Sequence, residues 1–495
     1  MDWKKLQNGS DIRGVALEGI EGEQVNLTAD VVKTLAVAFV KWLKTETGLD
    51  HVSVAVGVDS RISGTALKTA FMEGVRLTGA DVYDCGMAST PAMFMTTVDE
   101  ERPVTAGVMV TASHLPFNRN GLKFFTRRGG LEKKDITAVL QLAEEVSLAT
   151  LDGCGKMEEW QFMDTYCQHL VDYIRKGAGE DSEMQPLKGL RIVVDAGNGA
   201  GGFFADRVLE PLGADTSGSV CLEPDGMFPN HVPNPENEAA MQSIVKAVAD
   251  SRADLGIIFD TDVDRSAIVN REGNPINRNA LIALIAAVIL REHPGSTVVT
   301  DSVTSEGLTA FISQLGGRHH RFKRGYKNVI NEGIRLNGEG EECWLAIETS
   351  GHAALRENFF LDDGAFLIAK LLVEAARLKR EGKELSDLIS DLKQPAEDKE
   401  KRFAISGDDF GSYGQQVLNE FTDAIASEDG WEIVSPNFEG IRVRCTTHDE
   451  QGWFLLRLSL HDPVMVLNIE SDVNGGVQHI ECRLAELMRK FDRLK

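Results

Sequence analysis

One local pattern recurs three times in the first three quarters of the chain and constrains the fold more than any other feature. A short strand rich in β-branched residues, a polar turn and a helix occupy residues 54–81, 192–215 and 297–317. Each turn carries Asp, Ser or Asn, which can cap the following helix, and a Gly stands where that helix can end. Strand, helix and strand in this order are typical of a mainly parallel sheet. One such unit is common, but three in series indicate three related α/β domains produced by duplication.

The pattern changes near residue 399. Residues 398–402 carry consecutive charges and predict a linker, whereas residues 431–434 and 440–444 predict an antiparallel pair of strands. Residues 478–495 have helical spacing, with Leu484, Leu487 and Met488 on one packing face. A smaller α+β domain is therefore expected at the C-terminal end.

The length of the chain agrees with several domains. A chain of 495 residues exceeds what one core supports, since domains usually contain roughly 100–200 residues. The 42% hydrophobic content is that of an ordinary globular protein. We predict an α/β protein whose four domains are residues 1–157, 158–278, 279–398 and 399–495.

Charge and cysteine usage exclude several classes of partner. The formal net charge of −24 disfavours nucleic acid and anionic lipid over most of the surface. The seven cysteines include no CxxC pair and no zinc spacing, which fits reduced thiols. No apolar run is long enough to cross a bilayer. We expect a cytoplasmic protein with no membrane partner, although a removed organellar transit peptide would leave no trace.

A serine follows one of the predicted strands directly. The strand at residues 108–110 ends at Thr111-Ala112-Ser113-His114, and Lys123 follows through a loop with Pro and Gly. A serine at a strand end near a His and a Lys could carry a phosphoryl group covalently. Ser113 could instead only cap a turn. The chain has no Gly-x-Ser-x-Gly elbow, so acyl transfer is disfavoured.

Three carboxylates follow another apolar strand. Asp260, Asp262 and Asp264 alternate after residues 255–259, so they emerge together at the strand end. Hard oxygen ligands suit Mg²⁺, and a phosphate can complete its coordination. The later Gly and Glu of an EF-hand are missing. The alternative is a solvated acidic turn.

A third polar segment, Glu348-Thr349-Ser350-Gly351-His352, follows the apolar strand at residues 343–347. Glu348 and Ser350 can exchange hydrogen bonds with adjacent sugar hydroxyls. His352 could move a proton near neutral pH, although a lone His is more often structural. The three polar segments together point to phosphoryl transfer on a sugar.

The serine segment, the aspartate segment and the Glu-Thr-Ser-Gly-His segment follow one another along the chain. With this order of motifs the chain resembles the α-D-phosphohexomutases, which include phosphoglucomutases, phosphomannomutases and phosphoglucosamine mutases. The resemblance also covers residues 10–14, 57–61 and 195–199. It implies a four-domain, heart-shaped enzyme with three related α/β domains and a smaller α+β domain. It also implies a monomer or homodimer.

The resemblance implies a reaction as well. Ser113 would be phosphorylated in the active state, and one Mg²⁺ per site would bridge its phosphate and Asp260, Asp262 and Asp264. The phosphoserine would donate to a hexose phosphate, and the bound 1,6-bisphosphate would turn over and return its other phosphate. Glucose 1,6-bisphosphate is the implied activator, and carbohydrate metabolism the implied setting.

Further roles follow from the matched motifs. Arg13, Lys123 and His114 would surround the transferred phosphoryl group, with Lys123 and His352 as proton-transfer candidates. Glu348 and Ser350 would bind sugar hydroxyls. The remaining substrate-binding candidates are Arg265 and Lys327.

The chain departs from the family pattern in two places. Leu115 stands where Asn is common after the Ser-His pair. The fourth-domain phosphate loop, usually Arg-x-Ser-Gly-Thr-Glu-Pro, has its best match at Arg457-Leu458-Ser459-Leu460-His461-Asp462-Pro463. Arg457 and Ser459 can still donate to phosphate, and His461 could supply a pH-sensitive cation. We therefore expect an altered phosphate grip.

The altered loop leaves several functions open. The leading prediction is a phosphomannomutase or phosphoglucomutase that interconverts hexose 1-phosphate and hexose 6-phosphate. The alternatives are a hexose 1,6-bisphosphate synthase, a phosphoglucosamine mutase and a non-catalytic sugar-phosphate sensor. The preferred sugar depends on pocket geometry that sequence does not give.

Overall fold

A computed structural model describes residues 2–179, 185–407, 409–459 and 462–495 of the chain. The chain divides into two compact units. The first unit comprises Met1–Asn277 and Ser350–Leu385, and the second comprises Arg278–Thr349 and Ser386–Lys495. Within the described residues no helix is both long and apolar enough to cross a membrane. The four domain boundaries expected from the sequence stay a prediction.

The N-terminal part of the chain alternates strands and helices. Up to residue 277 the elements are β1 (Gln7–Asn8), β2 (Asp11–Val15), α1 (Ala29–Thr47), β3 (Ser53–Val58), α2 (Gly64–Leu77), β4 (Asp81–Met87), α3 (Thr90–Met95), β5 (Ala106–Val110), β6 (Arg119–Thr126), β7 (Gly129–Gly130), α4 (Lys133–Glu145), β8 (Met157–Glu159), α5 (Phe162–Gly177), β9 (Ile192–Asp195), α6 (Glu238–Ser251), β10 (Leu255–Phe259), β11 (Ser266–Asn270) and β12 (Pro275–Ile276).

Alternation continues to α10, after which antiparallel strands dominate. The later elements are α7 (Arg278–Glu292), β13 (Thr297–Thr300), α8 (Glu306–Gln314), β14 (Arg318–Arg321), α9 (Tyr326–Gly338), β15 (Cys343–Ile347), β16 (Ala353–Leu355), β17 (Leu361–Asp362), α10 (Gly364–Arg380), β18 (Glu397–Ala404), α11 (Phe410–Ile425), β19 (Trp431–Ile433), β20 (Ile441–Cys445), β21 (Gly452–Leu458), β22 (Val464–Ser471) and α12 (Gly476–Met488). The α/β class predicted from the sequence is confirmed.

The first sheet is mixed rather than mainly parallel. Its strand order is β1-β2-β6-β5-β3-β4-β8, with β5, β3, β4 and β8 parallel. β6 runs antiparallel to both β5 and β2. The connection from β5 to β6 is too short for a parallel crossover, which needs a dozen or more residues. The serine loop, residues 111–118, is that connection.

The second sheet of this unit has the order β12-β11-β10-β9, and only β9 and β10 are parallel. β10 and β11 form a hairpin, and residues 260–265, the aspartate loop, join them. After β9 the sequence predicts a regular helix, but the structure has a π-helix at Phe204–Leu209 and a 3₁₀-helix at Glu210–Leu212. Gly201, Gly202 and Pro211 explain the difference, because Gly and Pro have the poorest helix propensities.

The second unit contains a parallel and an antiparallel layer. β13 lies between β14 and β15, and all three are parallel. The antiparallel sheet has the order β18-β22-β21-β20-β19, so the predicted pairing of residues 431–434 with 440–444 is confirmed. Its apolar face packs on α11 and α12, and Leu484 is buried in that core.

The predicted linker at residues 398–402 is wrong. These residues lie inside β18, which pairs with the whole of β22. Most side chains of β18 are exposed on both faces, so no apolar alternation marks the strand in the sequence. Backbone hydrogen bonds to β22 hold it instead.

Candidate active site

The serine loop places Ser113 at the carboxyl end of β5 in a buried position. Its backbone has φ of +51°, a conformation that is common for Gly but that L-residues other than Asn and Asp rarely adopt. The Ser113 hydroxyl donates to Asp260 Oδ2 at 3.0 Å, and the Ser113 N–H donates to Thr111 Oγ1 at 2.9 Å. The hydroxyl therefore faces the aspartate loop and not the solvent.

The three carboxylates of the aspartate loop lie close together. Ligand oxygens of Asp260, Asp262 and Asp264 fall within 4.8 Å of one another, and all three residues are buried. Oδ1 of Asp262 and Oδ1 of Asp264 are buried with no hydrogen-bond partner among the described residues. Buried carboxylate oxygens of this kind are costly unless they are paired or coordinate a cation. The donor set therefore fits a hard divalent metal ion.

Backbone geometry fixes this loop. Val263 has φ of +67°, and its carbonyl accepts a hydrogen bond from the N–H of Gly364, the first residue of α10, at 3.2 Å. A Cβ on Gly364 would approach Arg265 backbone atoms to 2.8–3.0 Å, so a side chain there would displace the loop. Helix α10 thus supports the loop from outside the second sheet.

Lys123 lies beside the aspartates because β6 pairs with β5. Its ammonium group lies 2.8 Å from Asp262 Oδ2 and 2.5 Å from Asp264 Oδ2. Burial lowers the pKa of Lys123, but the carboxylates of Asp262 and Asp264 outweigh this effect and raise it well above the usual value. Lys123 is therefore a cation in this arrangement.

Arg265 connects the aspartate loop to the serine loop. Its Nη2 donates to Asp260 Oδ2 at 3.1 Å, to Ser113 Oγ at 3.3 Å and to His114 Nδ1 at 2.7 Å. Burial, then the charges of Arg265 and Arg13, lower the pKa of His114 to about 2. His114 is therefore a neutral acceptor. Arg13 donates from Nη1 to the carbonyl of Ala112 at 2.8 Å.

His352 is held by a carboxylate. Its Nδ1 lies 2.6 Å from Asp362 Oδ2 and 3.8 Å from Asp264 Oδ1. Burial disfavours the charged ring, but Asp362 and Asp264 outweigh this effect and raise its pKa to about 9. A backbone bridge to Arg265 fixes His352 beside the aspartate loop. Ser350, two residues earlier, is also buried in the first unit.

The other predicted substrate-binding residues lie in the second unit and are described within it. Glu348 is buried, and its Oε1 accepts a hydrogen bond from the N–H of Gly325 at 2.5 Å. Lys327 is in the first turn of α9, two residues after that glycine. The Glu348 carboxylate therefore ties the end of β15 to the start of α9.

Arg457 and Ser459 lie at the end of β21. Arg457 is 6% exposed, and its Nε has no hydrogen-bond partner in the described part of the chain. Burial lowers its pKa despite the opposing charge of Glu439. The Ser459 hydroxyl accepts from the Asp462 N–H at 3.3 Å. His461, predicted to join this phosphate site, lies outside the described residues.

Sequence reasoning missed two residues that support the site. Thr90 donates from Oγ1 to Asp262 Oδ2 at 2.5 Å, and its N–H donates to the Asp262 carbonyl at 2.9 Å. Ser89-Thr90-Pro91 is a visible helix start, but nothing in the sequence relates it to residue 262. Asp362, which holds His352, had no recognisable signal either.

A second group of potential metal ligands, Asp195, Cys221 and His231, also lies in the first unit. His231 Nε2 lies 3.1 and 3.0 Å from the two Asp195 oxygens, while Nδ1 lies 3.1 Å from the Val232 carbonyl. Both ring nitrogens therefore face acceptors, which suits a doubly protonated imidazolium. Asp195 and His231 therefore form an ion pair that supports β9. This state does not suit metal binding, because a histidine ligand needs one unprotonated ring nitrogen.

Family models match most of the chain. They are described as phosphoglucomutase/phosphomannomutase α/β/α domain I at residues 4–148, domain II at residues 164–273 and domain III at residues 277–395.

Individual relatives agree with these matches. A phosphomannomutase/phosphoglucomutase of Pseudomonas aeruginosa is 30% identical over 446 residues, which cover 89% of this chain and 88% of the relative. A phosphoglucomutase of Neisseria gonorrhoeae is 29% identical over 89% of both chains. The crystal structure of a phosphoglucomutase/phosphomannomutase family protein from Burkholderia thailandensis aligns with a TM-score of 0.80 and 27% identity, and covers 98% of each chain. Together with the serine and aspartate loops, these similarities show that the chain belongs to the α-D-phosphohexomutase family of enzymes.

Proposed function

We propose that this enzyme interconverts hexose 1-phosphate and hexose 6-phosphate by phosphoryl transfer through Ser113. The observation that carries the proposal is the Ser113 hydroxyl, 3.0 Å from Asp260 in a buried group of three carboxylates. A nucleophile beside a cation-binding group is what phosphoryl transfer needs, since positioning and charge neutralisation dominate its catalysis. The relatives named above as mutases support the same activity.

The aspartate loop is the proposed magnesium site. Asp260, Asp262 and Asp264 would hold one Mg²⁺, together with an oxygen of phosphorylated Ser113. Two buried oxygens that accept no hydrogen bond among the described residues, Asp262 Oδ1 and Asp264 Oδ1, support this assignment. The ion would neutralise negative charge on the transferred phosphoryl group.

In the proposed reaction, the phosphorus–oxygen bond to Ser113 breaks while a new bond forms to the free hydroxyl of the bound sugar phosphate. Ser113 Oγ keeps the bonding electrons and gains a proton from Lys123 or His352, and the sugar hydroxyl returns its proton to that group, so the proton count is unchanged. The resulting 1,6-bisphosphate turns over within the site, and its other phosphoryl group returns to Ser113. Each cycle therefore leaves the enzyme phosphorylated.

Cationic side chains of the first unit lie against the serine loop and the aspartate loop. Arg265 lies within hydrogen-bond distance of its hydroxyl, and Arg13 binds the carbonyl of the preceding residue. Lys123 and His352 both carry protons in this arrangement, because neighbouring carboxylates raise their pKa values. We assign to both the roles of stabilising phosphoryl charge and of transferring a proton. Burial, with the charge of Arg265, keeps His114 neutral by lowering its pKa, and its Nδ1 orients the Arg265 guanidinium.

The substrate contacts that we propose are those implied by the family motifs. Glu348 and Ser350 would bind sugar hydroxyls, and Lys327 would contact the substrate. Arg457 supports a phosphate role, since a buried guanidinium with an unpartnered Nε can donate to an anion. Ser459 and His461 would complete the loop that grips the phosphate not being transferred.

A direct assay tests the proposal. Purified protein is given Mg²⁺ and glucose 1-phosphate or mannose 1-phosphate, with and without catalytic glucose 1,6-bisphosphate, and the 6-phosphate and bisphosphate products are resolved. We expect isomerisation at constant bisphosphate, lost in Ser113→Ala and retained in Ser412→Ala, which removes an exposed hydroxyl of α11. Inactivity of the wild-type protein with every sugar would refute the mutase and favour a sugar-phosphate sensor. Activity with glucosamine phosphate alone would assign a phosphoglucosamine mutase.

A second candidate is a hexose 1,6-bisphosphate synthase. It rests on Leu460 and His461, which replace the Gly and Thr of the usual phosphate loop. A weakened grip on the bisphosphate would favour its release. Net bisphosphate formation from a sugar phosphate and a separate phosphoryl donor would establish this activity. A cytoplasmic location and a monomeric or homodimeric state stay predictions.

A further inference from the structure

We propose that Arg61 is the positioning residue that sets the backbone of the serine loop for phosphoryl transfer. The inference rests on the proposed function and assigns a role in it to a residue that, among the described residues, hydrogen-bonds neither the nucleophilic oxygen nor the aspartate loop. Arg61 lies in the turn between β3, a strand of the first sheet, and α2.

The guanidinium of Arg61 binds four carbonyls of one short loop. Nη1 donates to the carbonyls of Pro116 at 2.7 Å and Arg119 at 2.9 Å. Nη2 donates to the carbonyls of Leu115 at 2.5 Å and of Ser113 itself. All four terminal N–H groups of one planar side chain are thus used on residues 113–119. No point charge such as an ammonium can reproduce this fork.

Arg61 is itself held rigidly. It is 2% exposed, its Nε lies 3.4 Å from Asp59 Oδ2, and the ring of Phe228 lies 5.2 Å from its Cζ. A Cβ on Gly226 would approach the Arg61 Cα to 2.8 Å, so the loop at residues 226–228 packs directly against it. A buried cation with these partners has few alternative positions.

Asp59 extends the same restraint to the amide of the nucleophile. The Thr111 hydroxyl donates to Asp59 Oδ2 at 2.6 Å and accepts the N–H of Ser113 at 2.9 Å. The carbonyl of Ser113 is bound by Arg61 and its N–H by Thr111, so both sides of the residue are fixed. This explains how Ser113 keeps its φ of +51°, which is unfavourable for a serine.

The arrangement also accounts for the departure at residue 115. The family commonly has Asn there, whose side chain offers polar partners, whereas this chain has Leu115. Arg61 holds residue 115 through its carbonyl, so the loop geometry does not depend on that side chain. The restraint matters because an in-line transfer tolerates little displacement, and a misplacement of about 1 Å can cost 100-fold in rate.

The first test is Arg61→Lys, with Arg128→Lys as the matched control because Arg128 is exposed and pairs only with Glu46 in the described residues. For the Arg61 variant we expect kcat to fall about 100-fold with KM within threefold. Phosphorylation of Ser113 by glucose 1,6-bisphosphate, followed by intact-mass measurement, should slow by the same factor. A kcat within threefold of wild type would overturn the proposal, as would a loss confined to KM.

Two further measurements keep the outcome decisive. If Arg61→Lys does not fold, Thr111→Val replaces it as the test variant and should lower kcat about tenfold. Thr111→Ser, which keeps the hydroxyl, should retain the wild-type rate. A wild-type rate in Thr111→Val would then refute the positioning role. Hydrogen exchange of peptides covering residues 111–119 should accelerate at least tenfold in whichever variant folds, regardless of catalysis. Unchanged exchange overturns the inference even if the wild-type protein lacks mutase activity, so the two failures are distinguishable.

Discussion

The Asp195–His231 pair gives a pH-dependent prediction about stability. Burial disfavours the charged imidazole, but hydrogen bonding to Asp195 and the nearby Cys221 outweighs it and raises the pKa of His231 from 6.5 to about 10. A group whose folded pKa is raised stabilises fully below its unfolded pKa and loses that contribution as the pH rises through the folded pKa. The stabilisation should therefore be complete at pH 6 and nearly gone at pH 10.

The shift corresponds to at most about 5 kcal/mol, at about 1.4 kcal/mol per pH unit. We expect about 3 kcal/mol for His231→Gln at pH 6, because Asp195 keeps hydrogen bonds from the Gly197 N–H at 2.9 Å and the Ser243 hydroxyl at 2.6 Å. The Gln amide can still donate to Asp195, so the substitution isolates the charge.

Native-state hydrogen exchange of β9 and β10 is the suitable assay, since unfolding of a chain with two units need not be two-state. The difference in opening free energy between wild type and His231→Gln should decline steadily from pH 6.5 towards pH 10. His51→Gln is the matched control, because His51 also pairs with an aspartate, Asp81 at 3.0 Å, but is exposed. Such pairs contribute less than about 1 kcal/mol. If the difference in opening free energy between wild type and His231→Gln is equal at pH 6 and pH 9, the assigned charge state of His231 is refuted.

Three other substitutions test the site. Asp262→Asn removes one carboxylate charge and should weaken Mg²⁺ binding, measured by calorimetry, at least tenfold relative to Asp81→Asn; equal affinities would place the metal elsewhere. Gly121→Ala puts a Cβ 2.3 Å from the carbonyl oxygen of Ile12 and should lower the melting temperature by several degrees. Gly129→Ala is the milder comparison, because a Cβ there meets open space and only the positive φ is unfavourable. Similar losses of melting temperature in the two variants would contradict the packing argument. Arg457→Ala should raise KM for one or both hexose phosphates about tenfold or more with little effect on Ser113 phosphorylation by the bisphosphate, and an unchanged KM would remove Arg457 from the phosphate grip.

The sequence located the loops of the site because each follows a recognisable strand. Ser113 comes after β5, Asp260 after β10 and Glu348 after β15, and polar residues at strand ends stand out against apolar runs. The partners that reach these loops from elsewhere were less visible. Lys123 was a candidate from the sequence, but its contact with the aspartates depends on the pairing of Lys123 with Met109 between β6 and β5, and such a register is not encoded locally.

Arg61 shows the same limit in another form. Its position after a strand suggested a helix start, but a side chain that binds backbone carbonyls leaves no mark in the residues it contacts. The carbonyl of Leu115 is as good an acceptor as that of any other residue. The prediction overlooked local propensity in one further place, at Pro211, where a regular helix was expected and two short, irregular helical segments occur instead.

Strand β18 has a consequence for the behaviour of the protein in solution. It is the terminal strand of its sheet, and its Asp-Lys-Glu-Lys-Arg run is the charged segment that looked like a linker. A terminal strand offers unpaired backbone groups to any other polypeptide, and charged side chains are a common defence against such pairing. Replacing Lys399 and Lys401 with Val or Thr would improve the strand's β propensity and at the same time remove its protection against aggregation.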